Sequence, residues 1–210
     1  MALPYPVFPT AYLPPLAMVA AMMRQDTLVV EGQETFPKQT LRNRTVIVTA
    51  DGTMTLSVPV LRSQGNHTRT VDIGVCYHEP WNRTHLRAIE AAYNASPYYM
   101  YYRDELEQLL TRRYERLVEL NEAMLAFVWQ KLKLPLNLKY TEAYVRPEET
   151  TADYRMRYDY KHPGAVASLP HYTQVFADRL PFNGNVGILD LLFNLGPESR
   201  DYLERLVVDK

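Results

Sequence analysis

Thr45-Val46-Ile47-Val48-Thr49-Ala50-Asp51-Gly52-Thr53-Met54-Thr55-Leu56-Ser57-Val58-Pro59-Val60 carries the strongest local fold signal in the chain. Two runs, 45–50 and 53–60, flank Asp51-Gly52, and an Asp-Gly step between β-branched runs marks a hairpin because tight turns need residues that tolerate positive φ. The alternation Met54, Leu56, Val58, Val60 beside Val46-Ile47-Val48 predicts an antiparallel pair with one buried face. Toward the N-terminus, residues 27–31 read as another strand. Residues 3–8 fit only a sheet edge or a strand start, since Pro4, Pro6 and Pro9 lack backbone donors. Pro14 and Pro15 open a helix running to about residue 23. Toward the C-terminus, 62–69 is a loop and 70–76 a strand. Three helices then occupy 80–94 and 98–132, stopped at Ser96-Pro97 and Leu134-Pro135. Residues 139–145 alternate like a strand, 146–168 form a long polar loop containing Glu148-Glu149, and 172–177 are strand-like. Helices over 187–193 and 198–206 end the chain. The pattern predicts an α/β (α+β) fold. A mixed or antiparallel sheet packs against a helical middle region, and the C-terminal segment closes a single domain over 1–210.

A net charge of -1 gives no basic field, which argues against general nucleic-acid binding. Cys76 stands alone, so no internal disulfide forms, and a lone cysteine at the end of an apolar run reads as an inert thiol in a reducing, cytoplasmic setting. The N-terminus lacks the basic start and apolar run of a signal peptide, and the apolar stretch 12–23 is too short to span a bilayer, so no transmembrane segment is expected. No strand leads into a glycine-rich phosphate loop, and no Gly-x-Ser-x-Gly elbow is present. His67, His78, His85, His162 and His171 lack metal-ligand spacing, so neither a metal nor a cofactor is expected.

The chemistry-bearing stretch immediately precedes the hairpin. Lys38, Arg42 and Arg44 bring three cations, and Gln39 and Asn43 two carboxamides, into 36–44. As a strand, it would place Lys38, Thr40, Arg42 and Arg44 on one side, a set suited to an anion or, more plainly, to a solvated edge. In the helix from Pro80, Trp81, His85, Ile89 and Ala92 share a stripe, where His85 is either a core histidine or a base. Glu90 lies about 140° around that helix from His85 and shares a face with Tyr93 and Asn94. Asp190, embedded in an apolar run, needs a buried partner, with Arg42, Arg44 and Arg179 as candidates. Sixteen tyrosines against six phenylalanines favour a half-wet groove for a polar ligand.

Several segments in order resemble the WbqC-like family of bacterial surface-polysaccharide clusters: Thr10-Ala11-Tyr12-Leu13-Pro14-Pro15, Lys38 through Arg44, Leu56-Ser57-Val58-Pro59-Val60 and Trp81-Asn82-Arg83-Thr84-His85. Ile89 through Tyr98, Tyr172 through Phe176 and Ile188 through Pro197 complete the likeness. Pro9 stands where the family's start carries glutamine. The resemblance implies a transferase of O-antigen-type polysaccharide biosynthesis, moving an acyl or aminoacyl group to a sugar. Its small-molecule substrate would be anionic or a sugar. The catalytic candidates are His85 and Glu90. The substrate-binding candidates are Lys38, Gln39, Arg42, Asn43, Arg44, Tyr12, Trp81, Tyr93, Asp190 and Asn194. The competing reading is a non-catalytic module binding a sugar, nucleotide sugar or protein. The transferase reading expects the basic segment and the Trp81–His85 stripe to face one hollow.

Overall fold

A computed structural model describes residues 5–160 and 169–206. Expectations touching Leu3, Pro4 and His162-Pro163-Gly164 lie outside those residues. In chain order the elements are β1 (Val7–Pro9), α1 (Leu16–Met22), β2 (Leu28–Glu31), β3 (Arg44–Thr49), β4 (Gly52–Ser57), β5 (Val60–Leu61), β6 (Gly74–Val75), α2 (Trp81–Tyr93), α3 (Tyr99–Thr111), α4 (Leu117–Lys131), β7 (Leu138–Tyr140), α5 (Ile188–Leu195) and α6 (Ser199–Arg205). The fold is mixed α/β, with parallel and antiparallel pairing both present.

Among the described residues the strands form three small sheets. β1, β2 and β7 pair in parallel with β2 central, Pro9 opposite Glu31 and Val30 opposite Tyr140, so three carboxyl ends share one edge. The hairpin pairs β3 with β4, Arg44 opposite Ser57 and Thr49 opposite Gly52. Its turn is Ala50-Asp51, one residue earlier than the Asp-Gly signature suggests, and Gly52 opens the return strand at a φ of +113° that a side chain would strain. Nor is the pair buried on one face. Residues 45–48 of β3 are all buried, because α2 and α5 pack on that strand, whereas Met54 at the hairpin end is 44% exposed.

Other strand expectations fail for local reasons. Residues 38–43 turn instead of extending, with Gln39 at a φ of +58°, and the strand starts only at Arg44. Residues 70–76 become a short 3₁₀ turn, Thr70–Asp72, followed by two-residue β6, which pairs with β5. Past Tyr140 the chain leaves the sheet, as the Thr141 hydroxyl turns to the Glu31 carboxylate. Residues 172–177 form no strand, because Gln174 is bonded to the loop at Asn183 and to Asp190.

The helices follow their apolar periods more closely. α2 buries Trp81, His85, Ile89 and Ala92 as one stripe, joined by Tyr93. Every residue of α1 is buried, as is α5 through Asn194, which an all-round apolar helix requires. These elements contribute to one buried cluster running from Phe8 to Leu206. At its centre Gly187, the N-cap of α5, donates its backbone N–H to the Val46 carbonyl at 2.8 Å. A Cβ there would overlap Thr45 Oγ1 and lie 3.1 Å from the Leu13 carbonyl. Gly187→Ala is therefore expected to cost about 1–3 kcal/mol by overpacking, read as a lower urea midpoint at unchanged m-value. An unchanged midpoint would show that the three segments do not meet this closely.

Candidate functional site

His85 sits in an aromatic nest. Its Nδ1 lies 2.9 Å from the Tyr12 hydroxyl, and Trp81 approaches its ring edge-on at 5.0 Å between centroids. Burial pushes the imidazole pKa down to about 4, against a hydrogen bond to the Ser57 backbone carbonyl that favours the charged form. The neutral ring has one N–H; the Ser57 carbonyl takes it, so Nδ1 accepts from Tyr12. Tyr12 is fully buried, which raises its own pKa. The Tyr12, Trp81 and His85 of the predicted site are thus brought together, but in the interior, with His85 only 3% exposed.

Asp190 anchors a second buried group containing Tyr93 and Asn194. Its Oδ2 accepts from the Tyr93 hydroxyl at 2.9 Å, and its Oδ1 from Tyr172 at 2.6 Å and Gln174 at 2.8 Å. Asn194 bonds the Asp190 backbone carbonyl at 2.8 Å. The partners are neutral donors where an arginine was expected. Burial accordingly raises the carboxyl pKa, with the Tyr172, Gln174 and Tyr93 hydrogen bonds opposing it.

The basic segment splits. Lys38 and Gln39 are exposed on the turn, Asn43 donates to the Val58 carbonyl, and Arg44 is half-buried at the start of β3. Arg42 turns fully inward, where its Nε and Nη2 both reach Glu34 Oε1 at 2.7 Å and Nη2 lies 3.4 Å from the Arg155 carbonyl. Arg155 clasps Asp153 through two nitrogens, at 2.9 and 2.7 Å, and its Nη1 lies 3.5 Å from Glu31 Oε2, too far for a hydrogen bond. Glu31, the last residue of β2, takes three further donors: Thr141 Oγ1, Gln33 N and Val145 N. Glu90, the second catalytic candidate, is exposed on α2 in a groove with Arg83, Arg87 and Arg103, remote in character from this cluster.

Sequence reasoning missed Glu31, Glu34, Asp153 and Arg155. The available signal was polar residues directly after the apolar strand 27–31, the place where parallel sheets put ligands. A cleft of about 450 Å³ opens beside them, lined by Gln33, Glu34, Thr35, Tyr144, Pro147, Asp153, Arg155 and Met156. Burial raises the Glu34 pKa, while the charge and hydrogen bond of Arg42 oppose the rise and Glu31 adds to it. Burial also pushes Asp153 upward, but the Arg155 hydrogen bonds and charge outweigh it and hold that carboxyl below its usual range. Five clefts among the described residues have neither Arg42 nor His85 in their lining, so none of these five is the hollow expected to join the two predicted halves. Among the described residues, no three His, Cys, Asp or Glu side chains converge as a metal ion would need, and no helix is long and apolar enough to cross a membrane.

The profile of the WbqC-like protein family matches residues 10–164, which hold the first five of the ordered motifs. The chain belongs to the WbqC-like protein family. The matched span contains the His85 nest, the Arg42 turn and every residue lining the Glu34 cleft, whereas α5 and its Asp190 lie beyond it. Neither the curated proteins nor the solved structures contain a match to the chain.

The nest makes stability depend on pH. An unfolded histidine titrates near 6.5 and the folded one near 4, so His85 contributes fully above 6.5. Its contribution is lost as pH falls toward 4, because only the unfolded chain takes up the proton. Urea unfolding of the wild type is expected to lose about 3 kcal/mol relative to His85→Gln between those limits. Parallel profiles for the two proteins would contradict a neutral, sealed imidazole.

Proposed function

We propose that this protein is a transferase of bacterial surface-polysaccharide (O-antigen type) biosynthesis that passes an acyl or aminoacyl group to a sugar, working in the Glu34 cleft. Membership of the WbqC-like family supports the setting. The observation that carries the site is a raised-pKa carboxyl lining a cleft and braced by a fully buried arginine. Groups with such shifted titration, held in one orientation, suit proton transfer. In this reading Glu34 removes the proton from the attacking sugar group, and Arg42 positions Glu34 without touching substrate. Tyr144, 52% exposed, offers an aromatic face to the ring.

Of the two substrate classes expected, a sugar fits better than an anion, because the Arg42 and Arg155 forks already hold Glu34 and Asp153. His85 then serves the fold by pinning Tyr12, and Lys38 and Gln39 remain available on the surface turn. The alternative, a non-catalytic binding module for a sugar, nucleotide sugar or protein, draws on the same open cleft.

Removing a proton-transfer group costs about 10²–10⁴-fold in rate, so the two readings separate on Glu34→Gln. In source cells lacking the gene, wild type is expected to restore one substituent of the surface glycan by mass spectrometry, while Glu34→Gln restores none and still melts cooperatively when purified. Full restoration by a folded Glu34→Gln protein would leave the binding-module reading standing.

A further inference from the structure

We propose that the acceptor in the Glu34 cleft is an amino sugar, held by its ammonium group. This rests on the transferase reading above and names the acceptor class. Charge balance carries it. Among the described residues Glu31, Glu34 and Asp153 pair with Arg42 and Arg155, so when all five are ionised one carboxylate lacks a counter-charge there. Glu34 is the one with an oxygen to spare. Its Oε1 absorbs both Arg42 contacts, and its Oε2 has no hydrogen-bond partner among the described residues.

The cluster is also not closed on itself as a purely structural ion-pair network would be. Nη1 of Arg42 and Nη1 of Arg155 are buried with no hydrogen-bond acceptor among the described residues. Of these two guanidiniums only Arg155 lines the cleft, and an orphan donor there is met by an acceptor such as a sugar hydroxyl oxygen or ordered water. The wall is suited to a ring: Tyr144 and Met156 are 52% and 70% exposed, and the Arg155 guanidinium backs the Tyr144 ring at 5.1 Å. Thr35, exposed on the cleft wall, adds a hydroxyl for the sugar's own hydroxyls.

An acidic sugar would meet guanidiniums already engaged with Glu34 and Asp153 and an excess of negative charge. A neutral sugar would leave that excess unmatched. An amino sugar offers its ammonium to Glu34 Oε2 and an apolar ring face to Tyr144. The chemistry follows from the same contact. Oε2 takes one ammonium proton, and the freed nitrogen lone pair attacks the carbonyl carbon of an activated acyl donor such as a thioester or acyl phosphate. The C–N bond forms, the bond from that carbon to the leaving group breaks with its electron pair, and the nitrogen's surplus proton goes to the leaving group. The product is an amide.

The test is a titration of the full chain, ¹³C-labelled at methionine methyls, with glucosamine hydrochloride, glucose and glucuronate in parallel, the Met156 signal being assigned by Met156→Leu. Glucosamine is expected to shift Met156 with an affinity about tenfold above glucose, the margin of a charge-assisted over a neutral hydrogen bond. The affinity should fall as salt is raised and collapse toward that of glucose in Glu34→Gln. Should that variant fail to fold, Tyr144→Ala, which lies outside the ion-pair cluster, is expected to weaken glucosamine binding in a folded protein. Glucose or glucuronate binding as tightly as glucosamine would overturn the inference, and so would a Met156 signal that no sugar moves. Either result leaves the transferase reading to the glycan analysis, which reports on transfer without regard to the acceptor's charge.

Discussion

The interior pairing of Arg42 with Glu34 is the constraint around which this half of the molecule is arranged. A guanidinium cannot lose its protons, so once Arg42 is fully buried it must be met by a carboxylate or the fold pays heavily for it. Meeting it requires the chain to turn at Gln39 instead of running on as a strand, and it requires residues 31–34 to lie at the carboxyl edge of the parallel sheet. Arg155 extends the arrangement, joining Asp153 and Glu31 and bringing the segment after β7 over the same edge. The cleft is a by-product of this bracing. Pairing through Oε1 leaves the other Glu34 oxygen without a hydrogen-bond partner among the described residues.

The same turn ties the two predicted halves of the site through backbone. The Tyr12 amide donates to the Leu41 carbonyl, Asn121 bonds both Thr10 and the Arg42 carbonyl, and Thr45 donates to the Leu13 carbonyl. Leu13 holds a φ of +50°, a left-handed conformation costly for a leucine, at the point where these bonds converge. The segments around Tyr12 and Arg42 are therefore a chain crossing. Their polar side chains face inward to satisfy it, which explains why a tyrosine, a histidine and an arginine with ligand-binding chemistry are all buried.

The elements legible in the sequence were those whose reasons are local. The stripe of Trp81, His85, Ile89 and Ala92 needs only helical spacing, and the hairpin needs only its turn residues. The parallel sheet was not legible, because its third strand arrives from 110 residues away and three-residue strands carry almost no period. The partner of Asp190 was misjudged for a related reason. Electrostatics demands that a buried carboxylate be met by donors, but three neutral donors satisfy it as well as one arginine does, and which of them the fold delivers is set by how residues 172–174 pack. At the site, residue type indicated basic chemistry while burial reversed its sign, since each cation turned inward brought a carboxylate with it.

That reversal bears on how two neighbouring carboxyls here come to titrate in opposite directions. A glutamate beside an arginine ordinarily titrates low, and Asp153 does so because Arg155 grips both its oxygens. Glu34 is gripped through a single oxygen, lies close enough to Glu31 to feel its charge, and is more deeply buried than Asp153, with a side chain 12% exposed against 24%. Desolvation therefore wins at Glu34 and loses at Asp153, although the two carboxyls line one cleft and each faces an arginine. Two acids with opposed shifts in a common cleft give one group that stays charged and holds position and another that can exchange a proton. The asymmetry follows from which oxygens the guanidiniums reach, and hence from the inward turn at Arg42.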